Sequence, residues 1–180
     1  MGVVSATPPT CADGPGAARR KPPLPAGLAP LSSEEEAVIR SLGRALTLLT
    51  RALDADLTRE QRMSLSEYLV LRNLSEAPCR LMRMNELATA CDMSLSGMTR
   101  LVAKLVADGF VARIRCSDDA RGANAVLTDA GLARLEQAWP THLASVRRHV
   151  FDHLGELDLC SVARALQSIA TSAGTPPTSR

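Results

Sequence analysis

Two short helical segments separated by a very brief break constrain the fold of this chain more than any other feature. The first is predicted at about 85–91, and the chain then turns at Asp92-Met93. Ser94 is a typical N-terminal cap for a second helix over about 95–108. Gly109 follows as the left-handed residue expected after a helix end. This spacing is typical of a helix-turn-helix.

The segment after Gly109 is predicted to form a β-hairpin. Apolar and polar residues alternate over 110–115 and again over 123–127. The connecting residues 116–122 contain the Asp and Gly residues that favour turns. A hairpin directly after the second helix completes the order helix, turn, helix, wing, which suggests DNA binding.

Four further helices are predicted from caps and apolar periodicity: about 34–58, 65–76, 129–154 and 156–172. The expected caps are Ser33 with Glu36 reaching back, the box Ser64-x-x-Glu67, and Thr128. Pro140 is expected to kink the third of these helices. In the first helix, apolar residues at three- and four-residue spacing make one stripe: Val38, Ile39, Leu42, Ala45, Leu46, Leu49, Leu53 and Leu57. That stripe needs a partner to cover it.

Composition favours a mainly α fold with a small β-hairpin wing. The aromatic fraction is 2% and the hydrophobic fraction 46%, so the core must be aliphatic, and a β-sandwich or barrel is disfavoured. An enzyme is not expected, since no G-x-x-x-x-G-K-[ST], G-x-S-x-G or H-E-x-x-H sequence occurs. The cysteines show no C-x-x-C spacing, so neither a structural metal nor another cofactor is predicted.

One folded domain is expected at 33–172, between disordered tails at 1–32 and 173–180. Residues 1–30 hold seven of the 11 prolines, a composition that supports neither a helix nor a packed strand. Prolines also occur where a secretory signal needs an apolar run, and no run approaches the ~20 residues of a membrane span, so a cytoplasmic protein is expected. The net charge of +2 excludes a general polycation.

The second helix of the helix-turn-helix has a polar face suited to DNA. Its polar residues are Ser94, Ser96, Thr99, Arg100 and Lys104, and its apolar residues are Met98, Leu101, Val102 and Leu105. Short hydroxyl side chains at a helix N-terminus can approach bases and phosphates, and the helix dipole attracts anions there. The alternative is that these residues are only caps and solvated positions.

The tip of the predicted wing contains Asp119-Ala120-Arg121-Gly122. An acid two residues before an arginine can hold the guanidinium in one orientation, and such an arginine suits a narrow minor groove. The alternative is an exposed ion pair worth about 0–1 kcal/mol and without a function.

Several stretches together resemble the MarR-type winged helix-turn-helix regulators, a family named for multiple antibiotic resistance, over roughly 34–172. They are Leu65-Ser-Glu-Tyr-Leu-Val-Leu-Arg-Asn-Leu74, Met84-Asn-Glu-Leu-Ala88, Ser94-Leu-Ser-Gly-Met-Thr-Arg-Leu-Val102, Leu105-x3-Gly109-Phe-Val and Asp119-x-Arg121-Gly-x3-Val-Leu-Thr-x2-Gly131. Each stretch is weak alone, and their order and spacing carry the resemblance.

The resemblance implies a homodimer joined by the first and last helices, with a winged helix-turn-helix at about 65–127 that binds double-stranded DNA. It assigns major-groove contacts to Ser94, Ser96, Thr99 and Arg100, and a minor-groove contact to Arg121, held by Asp119. The implied function is a ligand-responsive regulator of transcription, a repressor above all, that binds a pseudopalindromic operator. Three residues depart from the family pattern: Leu95 and Ala120 stand where the family commonly has Lys or Arg, and Gly97 stands where it commonly has Thr. The two missing basic residues predict fewer cationic contacts with DNA and a shallower salt dependence of DNA binding.

The effector is not identified by the sequence. Arg40, Arg44 and Arg51 share one helix face and could meet an anionic small molecule, although a solvated face is the favoured explanation. A histidine stripe, His142, His149 and His153, suits a half-buried core, a pH-sensitive dimer interface or a metal pair. Two competing functions remain open: a winged helix used only for protein contacts, and a redox-responsive regulator acting through Cys91 or Cys116.

Overall fold

The computed structural model describes residues 24–115 and 123–174, which form six α-helices and three β-strands. The helices are α1 Ser33–Gln61, α2 Leu65–Glu76, α3 Met84–Ala90, α4 Leu95–Ala107, α5 Asp129–His149 and α6 Leu159–Gly174; the strands are β1 Leu81–Arg83, β2 Val111–Arg115 and β3 Ala123–Leu127. The mainly α fold with a small antiparallel sheet is therefore confirmed. Most of the predicted tail at 1–32, the last residues of the chain and the loop 116–122 lie outside the described residues.

The chain divides into two compact units, Met1–Ser41 and Leu42–Arg180. In the described part of the first unit, a turn at Gly27 is closed by a hydrogen bond of 3.1 Å from the Leu28 amide to the Pro25 carbonyl oxygen. The same unit contains the start of α1. The second unit contains the rest of α1 and all other elements, and everything that follows concerns it unless stated otherwise.

Capping residues set most helix boundaries where the sequence predicts them. At α2 the Ser64 hydroxyl accepts from the Glu67 amide at 3.2 Å, and the Glu67 carboxylate accepts from the Ser64 amide at 2.7 Å, so the predicted capping box is complete. Thr128 accepts from the Gly131 amide at 3.0 Å and starts α5. The helix then continues through Pro140.

Four predicted boundaries are wrong, and one of them is the end of α1, which lies at Gln61 rather than near 58. In the first unit, the box at the start of α1 uses Ser32 and Glu35, not Ser33 and Glu36. The long helix from Asp129 ends at His149 rather than near Leu154, because a short 3₁₀ turn at Phe151–His153 follows it. The last helix begins at Leu159 rather than near 156, where the Asp158 carboxylate accepts from two backbone amides at 3.1 and 3.2 Å.

The predicted hairpin is part of a three-stranded antiparallel sheet with the order β1-β3-β2. Strands β2 and β3 pair from Val111 with Leu127 to Arg115 with Ala123. The unpredicted strand β1 pairs with β3, Leu81 lying opposite Val126. Gly131 lies where a Cβ atom would collide with the Phe110 carbonyl oxygen, so a glycine is needed for α5 to begin this close to β2.

The core lies between α2, α3, α4, the sheet and the facing parts of α1 and α5, and it is almost wholly aliphatic. Its fully buried large side chains are Leu57, Tyr68, Val70, Leu71, Leu74, Leu87, Met98, Val102 and Leu105. The break between α3 and α4 is made by Asp92, whose φ of 50° reverses the chain. Gly109, with a φ of 78°, ends the turn after α4, as predicted from the sequence. The core thereby fixes α4 with its first turn at the surface.

Candidate nucleic-acid interface

The first turn of α4 is stabilised by a side-chain cap and is open to solvent. The Ser94 hydroxyl accepts from the Gly97 amide at 3.2 Å and lies 3.3 Å from the Ser96 hydroxyl. Both serines are exposed. The positive end of the helix dipole lies at this turn and makes it electropositive. This end of α4 can therefore accept an anion or the edge of a base.

The two faces of α4 divide as the sequence predicts. Met98, Val102 and Leu105 are at most 1% exposed and form its inner face. Thr99 and Arg100 are exposed on the opposite side. A protruding helix whose outer face carries hydroxyls and a guanidinium has the dimensions and the donors that suit the major groove.

Lys104, also predicted to contact DNA, is held by a buried acid. Its ammonium group forms an ion pair with the Glu67 carboxylate, which is only 7% exposed. Burial opposes ionisation of Glu67, but hydrogen bonds from Lys104 and Ser64 outweigh it and lower the pKa of that carboxyl. The hydrogen bond to Glu67 raises the pKa of Lys104. Lys104 therefore links α4 to α2, a role that its place in the sequence did not indicate.

The wing strand β2 is attached to α4 through Arg113. Its guanidinium donates to the Thr99 carbonyl oxygen at 3.1 Å, a contact that the sequence analysis missed because the two residues lie on different elements. The predicted wing pair, Asp119 and Arg121, lies outside the described residues. The base of the wing and the middle of α4 are thus joined directly.

The two departures from the family pattern on α4, Leu95 and Gly97, both lie in its first turn. Leu95 is the first residue of the helix and is 54% exposed. At Gly97 an added Cβ would lie 3.1 Å from the Ser94 hydroxyl oxygen and 3.5 Å from the Met93 methyl carbon. A side chain at Gly97 would therefore crowd the Ser94 cap. This contact explains a glycine at position 97 without any contact to DNA.

Arg44 and Arg51 are exposed along α1. In the first unit Arg40 lies 3.4 Å from Glu36. None of these three arginines lines either of two cavities that lie in the second unit. One, of about 540 Å³, lies where the end of α1 meets α4 and α5 and is lined by Glu60, Gln61, Arg62, Asp108, Phe110, Arg134 and Gln137. The other, of about 390 Å³ and mainly apolar, is lined by Ala45, Leu48, Leu49, Ala52, His149, Val150, His153 and Leu154.

The sequence analysis also missed a buried carboxylate between α1 and α5. Asp56 is 5% exposed and accepts from Ser145 at 2.6 Å, Arg148 at 2.6 Å and Arg59 at 2.7 Å, with His149 at 3.1 Å. The hydrogen bond from Ser145 is the main cause that lowers the pKa of Asp56, against the opposing effect of burial. An isolated acid in a helix usually indicates a solvated face, so no local signal marks this one.

His142 and His149 of the histidine stripe lie in different surroundings. His142 stacks on Tyr68 with ring centroids 4.3 Å apart, and burial followed by the charge of Arg72 lowers the pKa of His142. His149 contacts Asp56 instead. Within residues 24–115 and 123–174, no three His, Cys, Asp or Glu side chains are placed to hold a metal ion. The same residues contain no helix long and apolar enough to span a membrane.

Of the two thiols considered for redox control, only Cys91 is described. It is half-buried, and burial raises the pKa of the Cys91 thiol. A raised pKa lowers the thiolate fraction and hence the reactivity toward oxidants. Cys116 lies outside the described residues.

The arrangement of α3, α4 and the antiparallel sheet defines a winged helix. The sequence profile of the MarR family matches residues 63–122. The fold is similar to Sco3205, a MarR family transcriptional regulator from Streptomyces coelicolor solved in complex with DNA, with a TM-score of 0.75 and 36% identity over 85% of this chain and 95% of that one. It is also similar to AbsC, another MarR family transcriptional regulator from that organism, with a TM-score of 0.73 and 36% identity over 81% of this chain and 98% of that one.

A curated relative, the HTH-type transcriptional repressor YetL from Bacillus subtilis, is 28% identical over 102 residues, and the match covers 51% of this chain and 61% of the relative. The identity and coverage of the two structural neighbours establish the family. The chain belongs to the MarR family of transcriptional regulators.

Proposed function

We propose that this chain is a homodimeric repressor that binds a pseudopalindromic operator and is released from it by a small molecule. The observation that carries the proposal is the exposed, capped start of α4, where Ser96, Thr99 and Arg100 present polar groups on a helix fixed by a buried inner face. In this proposal α4 enters the major groove, and Arg121, held by Asp119, enters the minor groove. The structural neighbour solved in complex with DNA supports the proposed DNA binding. The curated relative is named a repressor, which supports repression rather than activation.

A homodimer is supported by the uncovered helix α6. Among the described side chains of this helix, all but Val162 are exposed, and Leu159, Leu166 and Ile169 are large and apolar, with exposures of 49%, 49% and 52%. A helix of 16 residues is marginal in water without tertiary packing. Leu46 and Leu48 of α1 are also half-exposed. A second copy that covers these surfaces accounts for both observations.

In the proposed dimer each copy contributes one α4, which we call the reader helix. Two reader helices predict two half-sites in the operator, about one helical turn apart. The affinity of the pair then depends on the distance between the two copies of α4. A ligand that changes this distance shifts the protein toward a form that no longer fits successive grooves.

The cavity at the junction of α1, α4 and α5 is the site that we assign to the effector. It is lined by Asp108, the residue that caps the end of α4, and by side chains of both long helices, such as Glu60 of α1 and Arg134 of α5. The Arg134 guanidinium is already bonded to the Gln61 and Gln137 side chains at 3.3 Å. A polar ligand that competes for these bonds would alter how α5 is attached to the end of α1.

The test is selection of bound fragments from a genomic DNA library, followed by DNase footprinting over a salt series. We expect a protected inverted repeat of about two helical turns. Arg100→Ala should weaken binding by about fivefold or more, since a good base contact is worth about 1–3 kcal/mol. Arg121→Ala should weaken binding while leaving the dimer intact.

The matched control is Arg147→Ala, which removes an exposed arginine from the last turn of α5 and should leave the affinity unchanged. If no fragment is enriched at any salt concentration, the DNA-binding proposal is wrong, and the alternative of a winged helix used for protein contacts takes its place. Equal loss of binding in all three variants would indicate nonspecific electrostatics rather than the assigned interface.

A further inference from the structure

Leu95 is a large apolar side chain at the leading end of the reader helix. It is the first residue of α4, and 54% of it is exposed. Around it the helix carries little bulk: Ser94 is used as the cap, Ser96 is short, and Gly97 has no side chain. Among residues 94–97, Leu95 therefore extends farthest and has no hydrogen-bonding group.

We propose that Leu95 is a specificity-determining residue that contacts the C5-methyl group of a thymine in each half-site. This inference rests on the proposed function, in which the N-terminal end of α4 enters the major groove. The thymine methyl is the apolar group that base pairs present in that groove. A lysine or arginine here could pair with phosphates of any sequence or with a guanine, whereas a leucine gains free energy only where an apolar surface meets it.

The small neighbours of Leu95 make such an approach possible. Backbone and short side chains at Ser96 and Gly97 allow the first turn of α4 to come close to the base edges, which brings the leucine into contact range of a methyl group. Burial of one methyl group is worth about a fourfold change in affinity. Two symmetric half-sites would change the affinity of the dimer by about fifteenfold, because the factors from two independent contacts multiply.

The experiment compares the selected operator fragment made with thymidine and the same fragment made by amplification with deoxyuridine triphosphate in its place. Uracil keeps every hydrogen-bonding group of thymine and lacks only the methyl. Affinities are measured for the wild-type protein, Leu95→Ala and Leu95→Met on both fragments. The control variant is Val106→Ala, which shortens the 37% exposed valine near the other end of the same helix.

We expect the wild type, Leu95→Met and Val106→Ala to lose about fifteenfold in affinity on the uracil fragment, and Leu95→Ala to bind both fragments almost equally. Restoring single thymines should then recover the affinity at one symmetric pair of positions. Uracil also changes stacking and groove shape, but such an effect would lower the affinity of all four proteins alike.

The inference is overturned if the ratio of the affinities for the thymine and uracil fragments is the same for the wild type and Leu95→Ala. That result would leave the proposed function intact. If the wild type binds no fragment, the proposed function itself is wrong and the inference fails with it. Leu95→Ala should fold normally, since Leu95 is exposed and alanine is the better helix former, and circular dichroism checks this.

Discussion

Ser145→Ala tests whether the buried carboxylate Asp56 joins α1 to α5. Ser145 is fully buried and donates to Asp56 at 2.6 Å. A hydrogen bond to a charged group contributes about 1.5–3 kcal/mol, and alanine regains about 0.5 kcal/mol through its higher helix propensity. The variant should therefore lose about 1–2.5 kcal/mol in its free energy of unfolding at neutral pH.

The assay is urea unfolding followed by circular dichroism at one fixed protein concentration, because the proposed dimer would make stability depend on concentration. Ser66→Ala, which removes an exposed serine from the first turn of α2, is the matched control and should change stability by less than about 0.5 kcal/mol. The slope of free energy against urea should stay the same in both variants, since neither alters the surface exposed on unfolding.

The pH dependence distinguishes the hydrogen bond from simple packing. Folding lowers the pKa of Asp56 from its ordinary 3.8, so the stabilisation is fully present above that value and is lost as the pH falls through the pKa of the folded state. The difference between the wild type and Ser145→Ala should therefore be constant from pH 7 to about 5 and shrink at lower pH. A loss of under about 0.5 kcal/mol at neutral pH, or an equal loss at all pH values, would refute the reasoning.

Three further predictions concern the proposed interfaces and His142. Leu46→Asp places a charge on a 58% exposed leucine of α1 and should abolish the dimer and operator binding together, as measured by light scattering and gel shift. Gly97→Thr should crowd the Ser94 cap and lower the melting temperature; DNA binding by this variant at least as tight as that of the wild type would refute any need for close backbone approach at Gly97. Burial lowers the pKa of His142 from its ordinary 6.5, so unfolding free energy should fall as the pH drops below that value, and His142→Gln should weaken this dependence.

The elements that the sequence predicts well are those whose signals lie within a few residues of one another. The box Ser64-x-x-Glu67, the cap Thr128 and the left-handed Gly109 each fix a boundary through contacts inside one turn. The start of α1 was misplaced by one residue because two adjacent serines, Ser32 and Ser33, each precede a glutamate by three residues. Periodicity alone does not choose between two caps of equal chemistry.

What the sequence left unpredicted depends on contacts between distant residues. Strand β1 has three residues and exists because it pairs with β3, which no local pattern records. Asp56 and Ser145 are 89 residues apart in the sequence, and each has the chemistry of a surface residue when considered alone. The polar face of α4 was identified correctly as exposed, but the pairing of Lys104 with Glu67 was not, because Glu67 already had a sufficient role as a cap.

The contacts of α4 restrict how an effector can act. Its Lys104 is bonded to the buried Glu67 of α2, and the carbonyl oxygen of its Thr99 accepts from Arg113 of β2. Its inner face is fully packed by Met98 and Val102. A tilt of α4 alone would break the ion pair, the hydrogen bond and the packing together, at a free energy well above the 1–3 kcal/mol typical of allosteric coupling. For the release from DNA that we propose, these contacts predict that α4 moves together with α2 and β2 as one body.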